Sequence, residues 1–177
     1  MNHEKLRSEP FPYADEYIGR ILKVIALKRS TGKLYTSNPS GLKHLIIEAD
    51  VWQITRGGIL IPGAILVRGL SPSDELFSKY ISQWKQLPLE QWWTEYEQHF
   101  LQELESDEKL NNLRTLYKTL QAGNNVVLLC FCKDARYCHR RLVGEFFKKY
   151  NIKATELNPT KPDIFEPQQL TIYDGVV

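Results

Sequence analysis

Residues 126–132 read Val-Val-Leu-Leu-Cys-Phe-Cys, an unbroken apolar run that decides the fold. Such a run predicts a strand buried on both faces, as in a parallel sheet covered by helices. Apolar residues at helical spacing follow, and they predict an amphipathic helix that begins near Cys138 and ends at Asn151. Ile152 to Leu157 then predicts another strand. This order of strand, helix and strand favours parallel pairing through a right-handed crossover.

Three more strands and a block of helices are predicted before this run. The strands are expected at Arg20–Lys28, Leu45–Trp52 and Ile59–Val67. Ser37 to Gly41 is expected to be a loop, because it is rich in turn residues. The helices should begin with Ser71 as N-cap and Pro72 as first helical residue. An aromatic stripe from Trp93 to Leu104 is interpreted as a core-facing helix surface.

Together these elements predict an α/β fold. We expect a mainly parallel sheet flanked by helices, in a single compact three-layer domain with a helical insertion at about residues 72–121. The chain has 177 residues, of which 42% are hydrophobic and 25% charged, as in ordinary globular proteins. This composition excludes a disordered chain, a fibrous repeat and a small disulfide scaffold. A loose N-terminal arm is expected at 1–15, one domain at 16–157 and an extended tail at 158–177.

Neither a membrane span nor a secretory signal is predicted. The longest mainly apolar stretch, residues 57–67, is far shorter than the about 20 residues that a helix needs to cross a bilayer. The charged start of the chain has no apolar stretch behind it. The 3 cysteines all lie between residues 130 and 138, and such an odd, clustered set favours reduced thiols. We therefore expect a cytoplasmic protein.

The loop from Cys130 to Arg141 is the predicted functional site. It joins a strand end to a helix start, where ligands of open α/β sheets bind and free amides attract anions. Cys130, Cys138 and His139 are the candidate catalytic residues, and Cys138 should form a thiolate readily because it lies at a helix start beside basic residues. The candidate ligand-binding residues, whose guanidinium groups suit phosphate or carboxylate, are Arg68, Arg136, Arg140 and Arg141.

Several chemistries remain open for this loop. Cys130 and Arg136 match Cys-x5-Arg, the spacing of cysteine phosphatases, although the loop lacks glycine. The cysteines and His139 are candidate metal ligands, but Cys138 and His139 are adjacent and diverge, so no metal is predicted. Cys138 is also a candidate redox or nucleophilic thiol with His139 as its base. For Cys130 and Cys132 the favoured interpretation is that they pack in the core as small hydrophobic residues, whereas Cys138-His139-Arg140 is poor core material.

The charge distribution supplies a rival interpretation. The formal net charge of the chain is only +2, which by itself indicates neither a nucleic-acid nor a membrane partner. The segment 133–153, however, contains 7 basic and 2 acidic residues. This basic face suits a non-catalytic module that binds nucleic acid or protein, and it predicts salt-sensitive binding to oligonucleotides.

Three motifs of the chain occur together in one known family. Leu128-Leu129-Cys130 is followed by Cys138-His139-Arg140, and before them come Arg68-Gly69-Leu70-Ser71-Pro72-Ser73 and Trp93-Thr94-Glu95-Tyr96-Glu97. In this order they resemble the signature "LLC…CHR", the Arg/Pro-Ser stretch and the "W-x-E-Y-E" helix of the bacterial and archaeal family catalogued as domain of unknown function 488. The resemblance covers about residues 56–157.

The resemblance implies a compact α/β domain in which Cys130, Cys138, His139 and Arg140 form one site. It implies no settled reaction and no substrate. The family usually carries an acidic residue two positions after its first cysteine, where this chain has Cys132.

The leading hypothesis is a small cytoplasmic enzyme or ligand-processing domain that binds a small anionic, phosphate-bearing ligand at Cys130–Arg141. As an enzyme it would be a thiol-dependent or phosphate-handling hydrolase or transferase. The alternatives are the module that uses the basic face 133–153 and a thiol redox switch. Neither a cofactor nor a membrane partner is expected, nucleic acid is the partner of the rival interpretation, and the sequence leaves the oligomeric state open.

Overall fold

The computed structural model describes residues 31–160, which contain a five-stranded sheet. The strands are β1 (Leu34–Ser37), β2 (Asp50–Gln53), β3 (Ile65–Leu66), β4 (Val126–Leu129) and β5 (Thr155–Glu156). Their order is β3-β2-β4-β1-β5, and every neighbouring pair is parallel. The predicted α/β fold with a mainly parallel sheet is therefore confirmed. The predicted arm at 1–15, the strand at Arg20–Lys28 and most of the predicted tail lie outside the described residues.

The sequence does not predict β1, although this strand lies inside the sheet. Tyr35 is paired with Val127 of β4 on one side and with Thr155 of β5 on the other. The strand has only four residues, two of them Thr36 and Ser37, so it carries no long apolar pattern. Hydrogen bonding to neighbours on both sides stabilises it, and this contribution comes from distant parts of the chain.

Two predicted strands are shorter than expected. Leu45–Trp52 is reduced to β2, because the residues before it are largely exposed and Ile46 is 94% exposed. Ile59–Val67 is reduced to β3, because a turn interrupts the segment. Gly63 has a positive φ of 80° there, and Ala64 N donates a hydrogen bond to the carbonyl of Ile61 at 3.0 Å.

The predicted helical insertion is confirmed. It comprises α1 (Asp74–Lys79), which continues as a π-helical turn at Tyr80–Trp84, then α2 (Trp93–Glu103) and α3 (Asp107–Gln121). The N-cap of α1 is Ser73 rather than the predicted Ser71, since Ser73 Oγ accepts a hydrogen bond from Leu76 N at 3.0 Å. None of the helices within residues 31–160 is long and apolar enough to cross a bilayer.

The helix after the central strand is predicted to begin near Cys138, and it begins at the next residue. α4 spans His139–Phe146, and a 3-10 turn at Phe147–Tyr150 extends it. Asn151, the predicted end, adopts a left-handed conformation with φ 59°. A left-handed residue at this place stops the helix and directs the chain into β5.

Both faces of β4 are buried, as its sequence predicts. Val126 and Leu128 point to one face and belong to a core cluster with Leu116 of α3 and Leu142 of α4. Val127 and Leu129 alternate with them and are fully buried on the other face. The connections β3 to β4 and β4 to β5 run towards the same edge of the sheet, so right-handed crossovers place their helices on the same face.

The strand order creates a crevice between β2 and β4. The chain leaves β2 towards the β3 edge, whereas it leaves the adjacent strand β4 towards the β5 edge. Connections that diverge in this way open a gap outside the carboxyl ends of the two strands, and ligands of open α/β sheets bind at such gaps. The loop that begins at Cys130 lies at this place.

Candidate functional site

A cavity of about 600 Å³ occupies the crevice. Its floor is formed by the loops that follow β2 and β4 together with the start of α4, including Thr55, Cys130, Cys138 and His139. The volume lies within the range of about 300–1,000 Å³ that is typical of small-molecule sites. The predicted loop Cys130–Arg141 therefore borders a hollow large enough for a ligand.

Aromatic side chains form most of the cavity wall. They come from the helical insertion and from the loop after β4, and they are Phe77, Tyr80, Trp92, Trp93, Tyr96, Phe131 and Tyr137. The aromatic stripe of α2 packs in the core as predicted, because Trp93, Tyr96 and Phe100 belong to the core cluster. Trp93 and Tyr96 have a second role that the sequence does not reveal, since they also line the cavity.

Gly58 allows the loop after β2 to pack closely against the loop after β4. Its φ of 94° lies in the region that glycine favours, and a Cβ at this position would be 2.5 Å from the ring of Phe131. The loop after β2 therefore touches the loop after β4 at the cavity wall. A side chain here would both strain the backbone and displace Phe131.

The three cysteines cluster on the cavity floor as free thiols. The sulfurs of Cys130, Cys132 and Cys138 all lie within 4.8 Å of one another. Cys130 Sγ and Cys132 Sγ are 3.6 Å apart. The interpretation of Cys130 and Cys132 as mere core hydrophobes is therefore insufficient, because both sulfurs belong to a cluster that borders a cavity.

His139 lies against this cluster in a defined orientation. Its Nε2 donates a hydrogen bond to the carbonyl of Ile54 at 2.7 Å, since a carbonyl oxygen only accepts. In the neutral ring Nδ1 is then unprotonated, and it lies 4.0 Å from Cys130 Sγ. Complete burial lowers the pKa of His139, which favours this neutral form.

Among the three thiols, Cys130 is the one that ionises most easily. Hydrogen bonds from the thiols of Cys132 and Cys138, aided by the charge of Arg140, hold the pKa of Cys130 well below its usual range despite burial. The hydrogen bond to Cys130 raises the pKa of Cys132 to about 11. Burial raises the pKa of Cys138. Burial opposes the formation of a thiolate at Cys138, and the expectation that this residue ionises readily stays a prediction.

Arg140 belongs to the fold beneath the cavity rather than to its wall. Its fully buried guanidinium donates from Nε to Glu156 Oε2 at 3.0 Å and from Nη1 to the carbonyl of Cys132 at 2.8 Å. Glu156 also accepts from Thr36 Oγ1 at 2.8 Å and from Asn158 N at 3.1 Å. The structure therefore places Arg140 as a clamp that ties the cysteine loop to β1 and β5.

The other three predicted arginines do not converge with Arg140. Arg136 is bound to Asp134, with Nη2 to Oδ2 at 2.7 Å. Arg141 pairs with Glu97 at 2.7 Å and Glu145 at 2.8 Å. Arg68 is exposed on a separate 3-10 turn. None of the four predicted arginines lines the cavity, and a phosphate loop of the Cys-x5-Arg kind is not formed.

Two other cations line the cavity, Arg56 and Lys133. The sequence predicts neither as a ligand-binding residue, although Lys133 lies within the predicted loop and the basic face 133–153. Arg56 follows β2 and its side chain is 17% exposed, while Lys133 directly follows Cys132 and is exposed. Arg56 was inconspicuous because nothing near it in the sequence resembles a site. The strand order explains its position. Because β2 and β4 are adjacent parallel strands, the loops that follow them lie side by side at the same edge of the sheet.

A buried lysine holds the segment that carries Pro72 against the cavity. Lys109 of α3 donates to the carbonyl of Ser71 and pairs with Glu103 at 3.3 Å. Glu103 in turn accepts a hydrogen bond from Ser73 N at 3.0 Å. Burial lowers the pKa of Lys109. The sequence does not predict the ion pair of Lys109 with Glu103, because the two residues lie on different helices.

Three thiolates are also a donor set for a thiophilic ion such as Zn²⁺. Zn–S bonds of about 2.3 Å would place tetrahedral sulfurs about 3.8 Å apart, and the contact between Cys130 and Cys132 at 3.6 Å is close to this value. Such an ion would have to displace the protons of Cys132 and Cys138, whose pKa values are raised. The expectation that no metal binds stays a prediction. Thiol chemistry, unlike metal binding, does not require Cys132 and Cys138 to lose their protons.

The fold and the site define a class of protein. Its members have a parallel α/β sheet and a thiol cluster in the crevice outside the carboxyl ends of two adjacent strands. The chain belongs to the DUF488 family, since the family model described as "DUF488-N3a: Active DUF488-N3 subclade" matches residues 60–151. This match confirms the resemblance found in the sequence, and it includes the cysteines, His139 and Arg140. No curated protein and no solved structure matches the chain significantly.

Proposed function

We propose that the protein is a thiol-dependent enzyme in which Cys130 attacks a small molecule bound in the cavity. The observation that carries the proposal is the position of Cys130 Sγ, which lies on the cavity floor 3.6 Å from Cys132 Sγ and 4.0 Å from His139 Nδ1. Thiol donors and a nearby guanidinium favour the thiolate, which is the nucleophilic form. The description of the family model as an active subclade supports catalysis and names no reaction.

The reaction is a nucleophilic group transfer in two steps. The Cys130 thiolate forms a bond to an electrophilic atom of the ligand, and the leaving group departs with the electron pair of the broken bond. Nδ1 of His139 then takes a proton from water, whose oxygen attacks the enzyme-bound group and releases the thiolate. Because the pKa of His139 is lowered, the imidazolium gives its proton up again readily.

A cytoplasmic setting suits this chemistry, because a reducing compartment would keep three thiols within 4.8 Å of one another from forming disulfides. The basic-face alternative receives less support. Arg136, Arg141 and Lys148 are paired with acidic side chains, so much of the positive charge of segment 133–153 is compensated. A redox switch would use the same sulfurs, and the assay below separates it from group transfer.

The test uses p-nitrophenyl acetate as a simple electrophile. We expect a burst of about one equivalent of nitrophenolate per chain, followed by slower turnover, with the acetyl group located on Cys130 by mass spectrometry. Cys130→Ser should remove the burst, whereas Cys132→Ser should retain it. Acetylation at Cys132 or Cys138 while Cys130 stays free would refute the proposal. The redox switch would be supported instead if the ester left every cysteine free while oxidised glutathione, added as the oxidant, joined two of the thiols in a disulfide.

A further inference from the structure

We propose that the cavity takes a flat aromatic ring that carries one anionic group, with the ring on the aromatic wall and the anion at Arg56. This inference rests on the proposed function, because it names the class of substrate that would reach Cys130. It replaces the four predicted arginines with a different anchor. The shared chemistry of the charged group is that of a carboxylate or a phosphate.

The aromatic wall is a connected surface rather than a set of scattered rings. Trp92 lies 5.3 Å from Tyr80 and 5.8 Å from Tyr96, measured between ring centroids. Trp93 stacks on Tyr96 at 5.4 Å, with an interplanar angle of 25°. These rings hold one another in place, so a ligand ring meets a preformed surface and loses little binding energy to reorganisation.

The ring contacts favour a planar ligand over a flexible aliphatic one. Leu89 and Pro72 are the aliphatic side chains of the wall, and the aromatic residues outnumber them. Aromatic rings attract other rings in stacked and edge-to-face arrangements, beyond the effect of apolar area alone. An alkyl chain of equal area would gain only the hydrophobic term.

Arg56 offers an unused guanidinium edge in the same cavity. Its Nε donates to the carbonyl of Pro72 at 2.8 Å and lies 3.4 Å from Asp74 Oδ1. Within residues 31–160 no hydrogen bond uses the two terminal nitrogens of Arg56. Asp74 is largely exposed, so it competes only weakly for them. Two parallel N–H donors fit a carboxylate or a phosphate.

Lys133 supplies a second positive charge at the cavity wall. In the part of the chain that the structure describes, its ammonium group makes no hydrogen bond and no ion pair. The acidic residue of the wall, Asp134, is already bound to Arg136 and Thr160. Apart from the Cys130 thiolate, which is the proposed nucleophile, the described cavity wall presents the ammonium group of Lys133, the free guanidinium edge of Arg56 and no unpaired carboxylate. This charge distribution favours an anionic ligand.

The test measures the affinity of the whole chain for four probes by isothermal titration calorimetry. 2-Naphthoate and 2-naphthyl phosphate are flat and anionic, 2-naphthylmethanol is flat and neutral, and decanoate is anionic without a ring. We expect one of the two naphthyl anions to bind at least tenfold more tightly than both single-feature probes. Which anion wins distinguishes a carboxylate ligand from a phosphate ligand.

Variants assign the two features to their residues. Arg56→Gln should remove the advantage of the naphthyl anion over 2-naphthylmethanol, and Lys133→Ala should reduce it. Trp92→Leu should remove its advantage over decanoate. Lys148→Ala is the matched control, because this exposed lysine pairs with Glu145 and does not line the cavity. Thermal unfolding of each variant shows whether a lost affinity reflects a lost fold.

Equal affinities for all four probes, or a preference for decanoate, would overturn the inference. An unchanged preference in Arg56→Gln would overturn the anchor. These failures are separable from a failure of the proposed function. If Cys130 is acetylated but the naphthyl anions do not bind, the proposed enzyme stands and the proposed ligand class is wrong. If the naphthyl anions bind but Cys130 does not react, the ligand class stands and the proposed enzyme is wrong.

Discussion

His139 Nε2 donates to the carbonyl of Ile54 at 2.7 Å, and this hydrogen bond fixes which nitrogen of the ring faces the thiols. Ile54 follows β2 and His139 begins α4, so the bond spans the crevice between the two adjacent strands. It leaves Nδ1 unprotonated on the cavity side, where a general base is needed.

The first prediction concerns this base. His139→Gln should retain the burst with p-nitrophenyl acetate but lower the steady-state rate by about 100-fold, because general bases contribute at least that much to proton transfer. The measurement is the burst amplitude against the turnover rate. His99→Gln is the control, since this imidazole is exposed on α2 beside Glu95. Loss of the burst itself would contradict a role confined to the second step.

The second prediction concerns the pH dependence of Cys130. The hydrogen bond from Cys132 holds the pKa of Cys130 low, so Cys132→Ala should raise the pH midpoint of Cys130 alkylation by about one unit. Cys132→Ser keeps a hydroxyl donor and should raise the midpoint less. Iodoacetamide rates across pH, with the modified residue identified by mass spectrometry, check this order.

In the wild-type protein the same midpoint should lie below the about 8.5 of an ordinary cysteine. The direction follows because the neighbouring donors stabilise the charged form, so the reactive thiolate appears at lower pH and the rate stops rising sooner. A midpoint at or above the ordinary value would mean that the thiols do not donate to Cys130.

The third prediction concerns Arg140 and Glu156. Arg140→Met should lower the free energy of unfolding by about 3–5 kcal/mol, because it leaves the carboxylate of Glu156 with no charged partner in a largely buried place. The double variant Arg140→Met, Glu156→Gln should recover much of this loss. Urea denaturation checks both values. A stable Arg140→Met that instead loses affinity for anions would restore the ligand-binding role predicted from the sequence.

The fourth prediction compares two glycines. Gly58 and Gly63 both have a positive φ, but a Cβ at Gly58 would meet Phe131 whereas a Cβ at Gly63 would meet nothing within 4 Å. Each alanine variant should lose about 1 kcal/mol or more from backbone strain. Only Gly58→Ala should also change the alkylation rate of Cys130, because it displaces a ring of the cavity wall. Equal effects of the two variants on that rate would contradict the contact.

The sequence predicts the centre of the fold better than its edges. The run 126–132 identifies the central strand and the helix after it, because burial on both faces leaves a continuous apolar signal. The sequence does not predict β1, because the stability of this four-residue strand depends on its pairing with β4 and β5. The strands at the β3 side are shorter than predicted, because apolar residues there remain exposed.

The candidate site divides in the same way. The sequence places Cys130, Cys138 and His139 together because they lie on one strand-to-helix segment. It does not assign their protonation, which depends on burial, on the third thiol and on the carbonyl of Ile54. Arg136, Arg140 and Arg141 are close in sequence, yet each pairs with a different acidic residue. Arg68, predicted from a separate loop, is exposed on its own turn.

By itself the sequence determined a parallel α/β domain with thiols and a histidine at one strand end, because these features are local and follow from apolar periodicity and spacing. The arrangement of the three thiols, the cations that face the cavity and the partners of Arg140 follow only from the tertiary structure. The physical reason is that ionisation and charge pairing depend on distances between residues far apart in the chain, as Arg140 and Glu156 or His139 and Ile54 show.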